Sequence, residues 1–123
     1  MMSDALNMMK FNTEHKRVID TFLLRIPGVV PGKMFGYPAY YINNKLFACI
    51  YENGVGLKVP EELVNQLVGR EGFAHFQPLG RKKMREWIQI NKERSEDYLN
   101  DQDVFESSVK YVSTLGAKVS MDS

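Results

Sequence analysis

Several features that mark secreted and membrane proteins are missing from this sequence. It has one cysteine, Cys49, so no disulfide can form within the chain. Its longest uninterrupted apolar stretch is the six residues from Leu46 to Tyr51, whereas a membrane-spanning helix needs about 20. The residues up to Arg17 hold no apolar segment of the kind found in signal peptides. These absences predict a cytoplasmic protein without a membrane partner.

Neither sign of charge dominates the chain. It has 16 lysines and arginines against 15 aspartates and glutamates, a formal net charge of +1. No overall field therefore attracts nucleic acid or anionic lipid. With 123 residues, 44% of them hydrophobic and 25% charged, the chain has the size and composition of an ordinary soluble domain. We expect a single domain over residues 1–123 and exclude a disordered or fibrous protein.

The first half of the chain predicts a helix followed by three strands. Asn12 or Thr13 is the expected N-cap, and Pro27-Gly28 ends the helix. The apolar positions at helical spacing are Val18, Ile19, Phe22, Leu23 and Ile26. Gly28–Lys33 is similar to a phosphate-binding loop, but its glycine spacing is wrong and no helix follows, which favours a simple connector. The predicted strands are Met34–Ile42, Lys45–Glu52 and Val55–Val59, with tight turns at Asn43-Asn44 and Asn53-Gly54.

The second half predicts a helix, two strands and a final helix. Pro60 at a first helical position and Gly69 after the last apolar residue delimit the first of these helices. The predicted strands are Phe73–Gln77 and Glu86–Asn91. Ser95 is the expected N-cap of the final helix, and Gly116 its expected end. The order α-β-β-β-α-β-β-α predicts an α+β fold in which helices pack on an antiparallel sheet.

No catalytic, cofactor-binding or metal-binding motif is found. A zinc site needs about four ligands, and one cysteine with two separated histidines, His15 and His75, does not supply them. Cys49 lies in the middle of a predicted strand, a position typical of a buried and inert thiol. It is the candidate nucleophile for the least favoured hypothesis, an enzyme. We therefore expect a protein without enzymatic activity and without a cofactor.

The charges are unevenly distributed along the chain. Residues 79–94 hold six basic and two acidic residues, and residues 95–123 hold two basic and six acidic ones. Four basic residues in one connection could contact phosphates or a protein partner. They are Arg81, Lys82, Lys83 and Arg85. The alternatives are a solvated loop and a loop that pairs with the acidic final helix of the same chain or of another.

A second candidate surface is aromatic. Alternation along Lys45–Tyr51 leaves apolar residues on both faces of that strand, so both faces of the sheet are predicted to be covered. The residues expected to share the second face are Tyr37, Phe47, Tyr51, Lys58 and Trp87. The terminal helices could cover this face within one chain. It could otherwise form a dimer interface or a groove for a small ligand.

Ordered motifs in the strands and loops resemble the TfoX N-terminal domain family, also called TfoX/Sxy-like. They are Lys33–Ala39, Asn44–Ala48, Gly56–Val59, Pro78–Arg81 and Met84–Ile88. The resemblance covers about residues 18–115 and implies a short, single-domain member with a fold similar to that of secretion chaperones. It also implies no established catalysis, and the family's namesake regulates natural competence through gene expression.

These features together predict a non-enzymatic, cytoplasmic regulatory or interaction domain. Its expected partner is a second copy of the chain in a homodimer, another protein or a nucleic acid. The alternative is a small-molecule-binding domain that uses an aromatic groove around Tyr37, Tyr51 and Trp87.

Overall fold

Six antiparallel strands form one sheet in the computed structural model, which describes residues 11–80 and 82–122. The strands are β1 (Val29–Met34), β2 (Tyr37–Ile42), β3 (Lys45–Tyr51), β4 (Gly54–Lys58), β5 (Phe73–His75) and β6 (Trp87–Ile90). The α-helices of this part of the chain are α1 (Thr13–Leu23), α2 (Glu61–Leu67) and α3 (Gln102–Asp122), and its 3-10 helices are Pro78–Gly80 and Ser95–Asp101. The predicted α+β fold is confirmed. Among the described residues, no helix has both the length and the apolar character needed to cross a membrane.

The strand order across the sheet is β1-β2-β3-β4-β6-β5. The first four strands are successive hairpins, and α2 then carries the chain to β5 at the far edge. β6 returns between β5 and β4, where Lys58 is paired with Trp87 and Val55 with Ile90. The connection between β5 and β6 therefore begins at one edge of the sheet and ends in its interior.

The helices pack on one face of this sheet. Ile19 of α1, Val64 of α2 and Phe105 of α3 share a core with strand residues such as Ile50 and Ile88. Full burial of a side chain of this size contributes about 1.5–3 kcal/mol, so this face carries most of the apolar stabilisation. A second, smaller cluster lies on the opposite face.

The strand β1 was not expected. The segment predicted as a connector, Gly28–Lys33, forms most of β1, and the predicted strand Met34–Ile42 is interrupted by a hairpin turn. The turn residues are Phe35 and Gly36, both with positive φ (51° and 86°). Phenylalanine rarely adopts this conformation, so the turn carried no recognisable sequence signal.

The other two hairpin turns are close to prediction. Asn43 and Asn44 form the expected turn, with φ of 54° and 65°. The β3–β4 turn lies one residue earlier than predicted, because Tyr51 pairs with Gly54 and leaves Glu52 and Asn53 as the turn. Gly54 belongs to β4, where a Cβ atom would lie 2.1 Å from the Asn91 Oδ1 atom. Glycine is therefore required at this position by its close contact with Asn91, and not by the turn.

The helix ends differ in detail from the prediction. Asn12 is the N-cap of α1, its side chain accepting hydrogen bonds from the backbone of Glu14 and His15 at 2.9 Å. Ser95 does not cap the final helix. It opens a 3-10 helix, its Oγ lying 2.6 Å from the Nδ1 atom of His15. The final α-helix continues through Gly116 to Asp122.

Candidate functional site

Aromatic side chains on the face opposite the helices form a continuous cluster. The ring centroids of Tyr37 and Tyr51 are 4.7 Å apart. Phe76 follows, 5.6 Å from Tyr51 and 5.5 Å from Trp87. The Nζ atom of Lys58 lies 6.0 Å from the ring centroid of Trp87. The structure thus brings together four of the five residues predicted for this face, and it adds Phe76.

Phe47 is the fifth, and its predicted place on this face is wrong. The register between β2 and β3 shifts, because Tyr40 pairs with Ala48 whereas Tyr41 pairs with Leu46. Phe47 is the extra residue of this β-bulge, and its side chain is buried in the core under the helices. Strict alternation fails at a bulge. As a result, Leu46 contacts the second-face cluster in place of Phe47.

Phe76 closes the aromatic cluster from outside. Its side chain is buried and lies over Gly56 of β4, where a Cβ atom would be 2.8 Å from the ring. The chain then folds back, and the Met84 amide donates a hydrogen bond to the Phe76 carbonyl at 3.2 Å. The alternative in which the terminal helices cover this face is wrong, because α1 and α3 pack on the other one. A segment of the β5–β6 connection takes their place.

An apolar groove remains where this covering segment approaches the β1–β2 hairpin. It has a volume of about 560 Å³. Its lining residues are Met34, Phe35, Leu46, Phe76, Pro78, Lys82, Lys83, Met84 and Trp87. Phe35 at the hairpin tip is 62% exposed and Met84 is 36% exposed. Trp87, the only tryptophan of the chain, lies in the wall with 6% exposure. The groove therefore joins the two candidate surfaces that the sequence indicated, one aromatic and one basic.

The basic residues of the β5–β6 connection differ in their surroundings. Lys82 and Lys83 are exposed and line the groove. Within residues 11–80 and 82–122, neither forms an ion pair. Arg85 is also exposed, but its Nε lies 3.6 Å from the Glu61 carboxylate at the start of α2. Arg81 lies outside the described residues. One alternative was a pairing with the acidic final helix, and among the side chains that the structure describes Lys82, Lys83 and Arg85 form no such pair within the chain.

The tip of the β1–β2 hairpin has an unfavourable backbone conformation. Phe35 has φ of 51°, in the left-handed region. For a residue other than glycine this conformation costs about 1–2 kcal/mol, and asparagine tolerates it best. The corresponding turn between β2 and β3 uses Asn43 and Asn44. Because phenylalanine, unlike asparagine, does not indicate a turn, the sequence offered no signal for Phe35 as a hairpin-tip residue.

The candidate nucleophile is inaccessible in this fold. Cys49 is completely buried in the middle of β3, and burial raises the pKa of its thiol to about 12. The reactive thiolate is therefore scarce at neutral pH.

One buried histidine does not belong to the groove lining. His15 is only 1% exposed and lies between Ser95 and the edge of the Tyr98 ring. Burial lowers the pKa of its imidazole below the ordinary 6.5. This contact joins α1 to the second 3-10 helix. Among the described residues, no group of His, Cys, Asp and Glu is arranged to hold a metal ion.

Comparison of the chain with models of known protein families, with curated proteins and with solved structures found no match. The groove and its surroundings are therefore the basis for a proposed function.

Proposed function

We propose that this chain is a non-enzymatic domain that binds a small molecule in the groove between the β1–β2 hairpin and the β5–β6 connection. The observation that carries the proposal is the apolar cavity of about 560 Å³ with two exposed lysines, Lys82 and Lys83, in its lining. Small-molecule sites commonly have about 300–1,000 Å³ and a mostly apolar lining with a few polar groups. The groove fits this description, in the cytoplasmic setting that the lone cysteine favours.

Binding without chemistry is the activity that this lining supports. Apart from Lys82 and Lys83, the lining side chains are those of Met, Phe, Leu, Pro and Trp. General acid–base catalysis needs a titratable side chain that is positioned within hydrogen-bond reach of the reacting group and has a pKa near the operating pH. The described lining supplies apolar contact area and positive charge instead.

The fluorescence of Trp87 provides a direct test. Because Trp87 is the only tryptophan and lies in the groove wall, a bound ligand should change its emission. We would titrate the protein with a panel of small apolar acids, alcohols and amines. Met84→Asp should weaken every response by placing a charge in the apolar groove. Leu99→Asp is the matched control, since Leu99 is similarly exposed (41%) and does not line the groove.

A panel in which no compound changes the Trp87 emission would contradict this proposal. So would a response that Met84→Asp and Leu99→Asp reduce equally, because the effect would then come from a general loss of structure.

A regulatory interaction domain, as the resemblance to the TfoX N-terminal domain family implies, is the second candidate. The exposed side chains of Lys82, Lys83 and Arg85 on one segment favour it, since such groups contact phosphates. We would titrate a labelled DNA duplex at about 50 and 200 mM salt, where phosphate-mediated affinity falls steeply. Binding lost on replacing Arg81, Lys82, Lys83 and Arg85 by glutamine would support it, and no binding at low salt would contradict it. Analytical ultracentrifugation tests the proposed homodimer.

A further inference from the structure

We infer that the ligand of this groove has an apolar body that ends in a single anionic group, and that Phe35 is held at the hairpin tip to contact that body. The inference rests on the proposed function and specifies its ligand.

The charges around the groove argue for an anionic group. Lys82 and Lys83 are the charged residues of the lining as far as the structure describes it, and no carboxylate belongs to that described lining. The carboxylates of the neighbouring segments have cationic partners. Glu86 lies 3.2 Å from the Lys58 ammonium, and Glu61 pairs with Arg85. An incoming anion therefore meets two uncompensated ammonium groups, whereas an incoming cation meets none of the opposite sign.

The apolar part of the lining argues for the body of the ligand. Met34 and Met84 contribute unbranched, flexible side chains to the lining, together with Leu46 and Trp87. Methionine adapts to ligands of irregular shape, and an indole offers a large flat surface. An aliphatic or aromatic group can be removed from water here while its anionic end remains at the lysines.

The conformation of Phe35 adds an independent argument. Its left-handed backbone is unfavourable for phenylalanine, and 62% of the residue is exposed. Strained backbone residues occur preferentially at binding sites. Phe35 belongs to the groove lining, so a bound apolar body would cover more of its exposed surface.

Three probes with the same chain and different ends test the charge. Octanoate, 1-octanol and octyltrimethylammonium are titrated below their micelle-forming concentrations, with Trp87 emission as the readout. We expect octanoate to bind about tenfold or more tightly than the other two probes. An affinity ratio of this size corresponds to the free energy of about one charge-assisted hydrogen bond. Lys82→Gln with Lys83→Gln should remove this preference and leave octanol binding unchanged. Lys110→Gln, which removes an exposed charge on α3, should preserve it.

Phe35→Asn tests the second half of the inference. It should weaken octanoate binding by several fold while the thermal unfolding midpoint stays the same or rises, because asparagine tolerates the turn. Unchanged octanoate affinity in a folded Phe35→Asn protein would overturn the role of Phe35.

The outcomes separate this inference from the proposed function. Equal binding of octanoate and octanol, both lost in Met84→Asp, would overturn the anionic preference and leave a ligand-binding groove. A preference for octyltrimethylammonium would also overturn the anionic preference and leave a ligand-binding groove. If none of the three probes changes Trp87 emission, the anionic ligand is refuted, and the broader panel described above then decides whether the groove binds any small molecule.

Discussion

Replacing Gly56 by alanine tests the contact that closes the second face of the sheet. A Cβ atom at this position would lie 2.8, 2.9 and 3.0 Å from three atoms of the Phe76 ring. Ordinary carbon contacts begin near 3.4 Å, so the ring would have to move by about half an ångström. Phe76 is completely enclosed, and overpacking of this kind typically costs about 1–3 kcal/mol. We therefore expect Gly56→Ala to lower the free energy of unfolding by about that amount.

Urea unfolding followed by circular dichroism measures this loss, and Trp87 emission reports its location. Because the Phe76 ring lies 5.5 Å from the Trp87 ring, moving it should expose the indole and shift its emission to longer wavelength. Gly32→Ala is a matched control. The Tyr41 ring is also 2.8 Å from the added Cβ, but Tyr41 is only partly buried near the edge strand and can move towards solvent. Gly32→Ala should lower the free energy of unfolding by less than about 1 kcal/mol, because alanine is more favourable than glycine in a strand by about 0.5–1 kcal/mol.

A double-mutant cycle decides whether Phe76 is responsible. Phe76→Ala alone should cost about 3–5 kcal/mol, as for other buried phenylalanines. In that background Gly56→Ala should carry no further penalty, because the clashing ring is gone. A Gly56→Ala protein as stable as the wild type would refute the packing of Phe76 on β4, and with it the wall of the proposed groove.

Three further predictions concern single side chains. Phe35→Asn should raise the free energy of unfolding by between zero and about 1 kcal/mol. The substitution relieves about 1–2 kcal/mol of backbone strain, and lost burial of the ring partly offsets this gain. A decrease of more than about 1 kcal/mol in urea unfolding would contradict this prediction. Burial lowers the pKa of His15, so just below pH 6.5 the unfolded chain binds more protons than the folded protein. The contribution of His15 to the free energy of unfolding should be complete above pH 6.5 and decrease as the pH falls below it. His15→Gln should reduce this pH dependence of stability. Cys49 should react with iodoacetamide at neutral pH only after unfolding, because burial raises its pKa to about 12; fast alkylation of the folded protein would contradict its burial.

Local sequence signals were sufficient for much of the fold. Asn12 as N-cap and Asn43-Asn44 as a hairpin turn were predicted because side-chain chemistry there favours one backbone conformation. The same reasoning missed β1, since a strand that contains Pro31 and Gly32 lacks the usual composition. As an edge strand, β1 tolerates a proline that the centre of a sheet does not.

The groove could not be predicted in the same way, because its walls come from segments that meet only in the folded sheet. Trp87 was expected on the second face from its alternation with Ile88 and Ile90, and it lies there. Phe76 and Met84 were not expected, since the path of the β5–β6 connection depends on β6 pairing with β4. Sequence reasoning identified the aromatic and the basic residues separately. Their meeting at one groove follows from the strand order.

Two phenylalanines depart from local rules, and comparing them shows why only one points to function. Phe47 disturbs the β2–β3 register, but its side chain is fully buried, and burial of about 1.5–3 kcal/mol offsets the cost of a bulge. Phe35 adopts a backbone conformation that costs about 1–2 kcal/mol, yet 62% of it remains exposed. Burial in the core therefore accounts for Phe47. Phe35 lies instead in the groove lining, where a bound ligand would cover its ring and remove apolar surface from water.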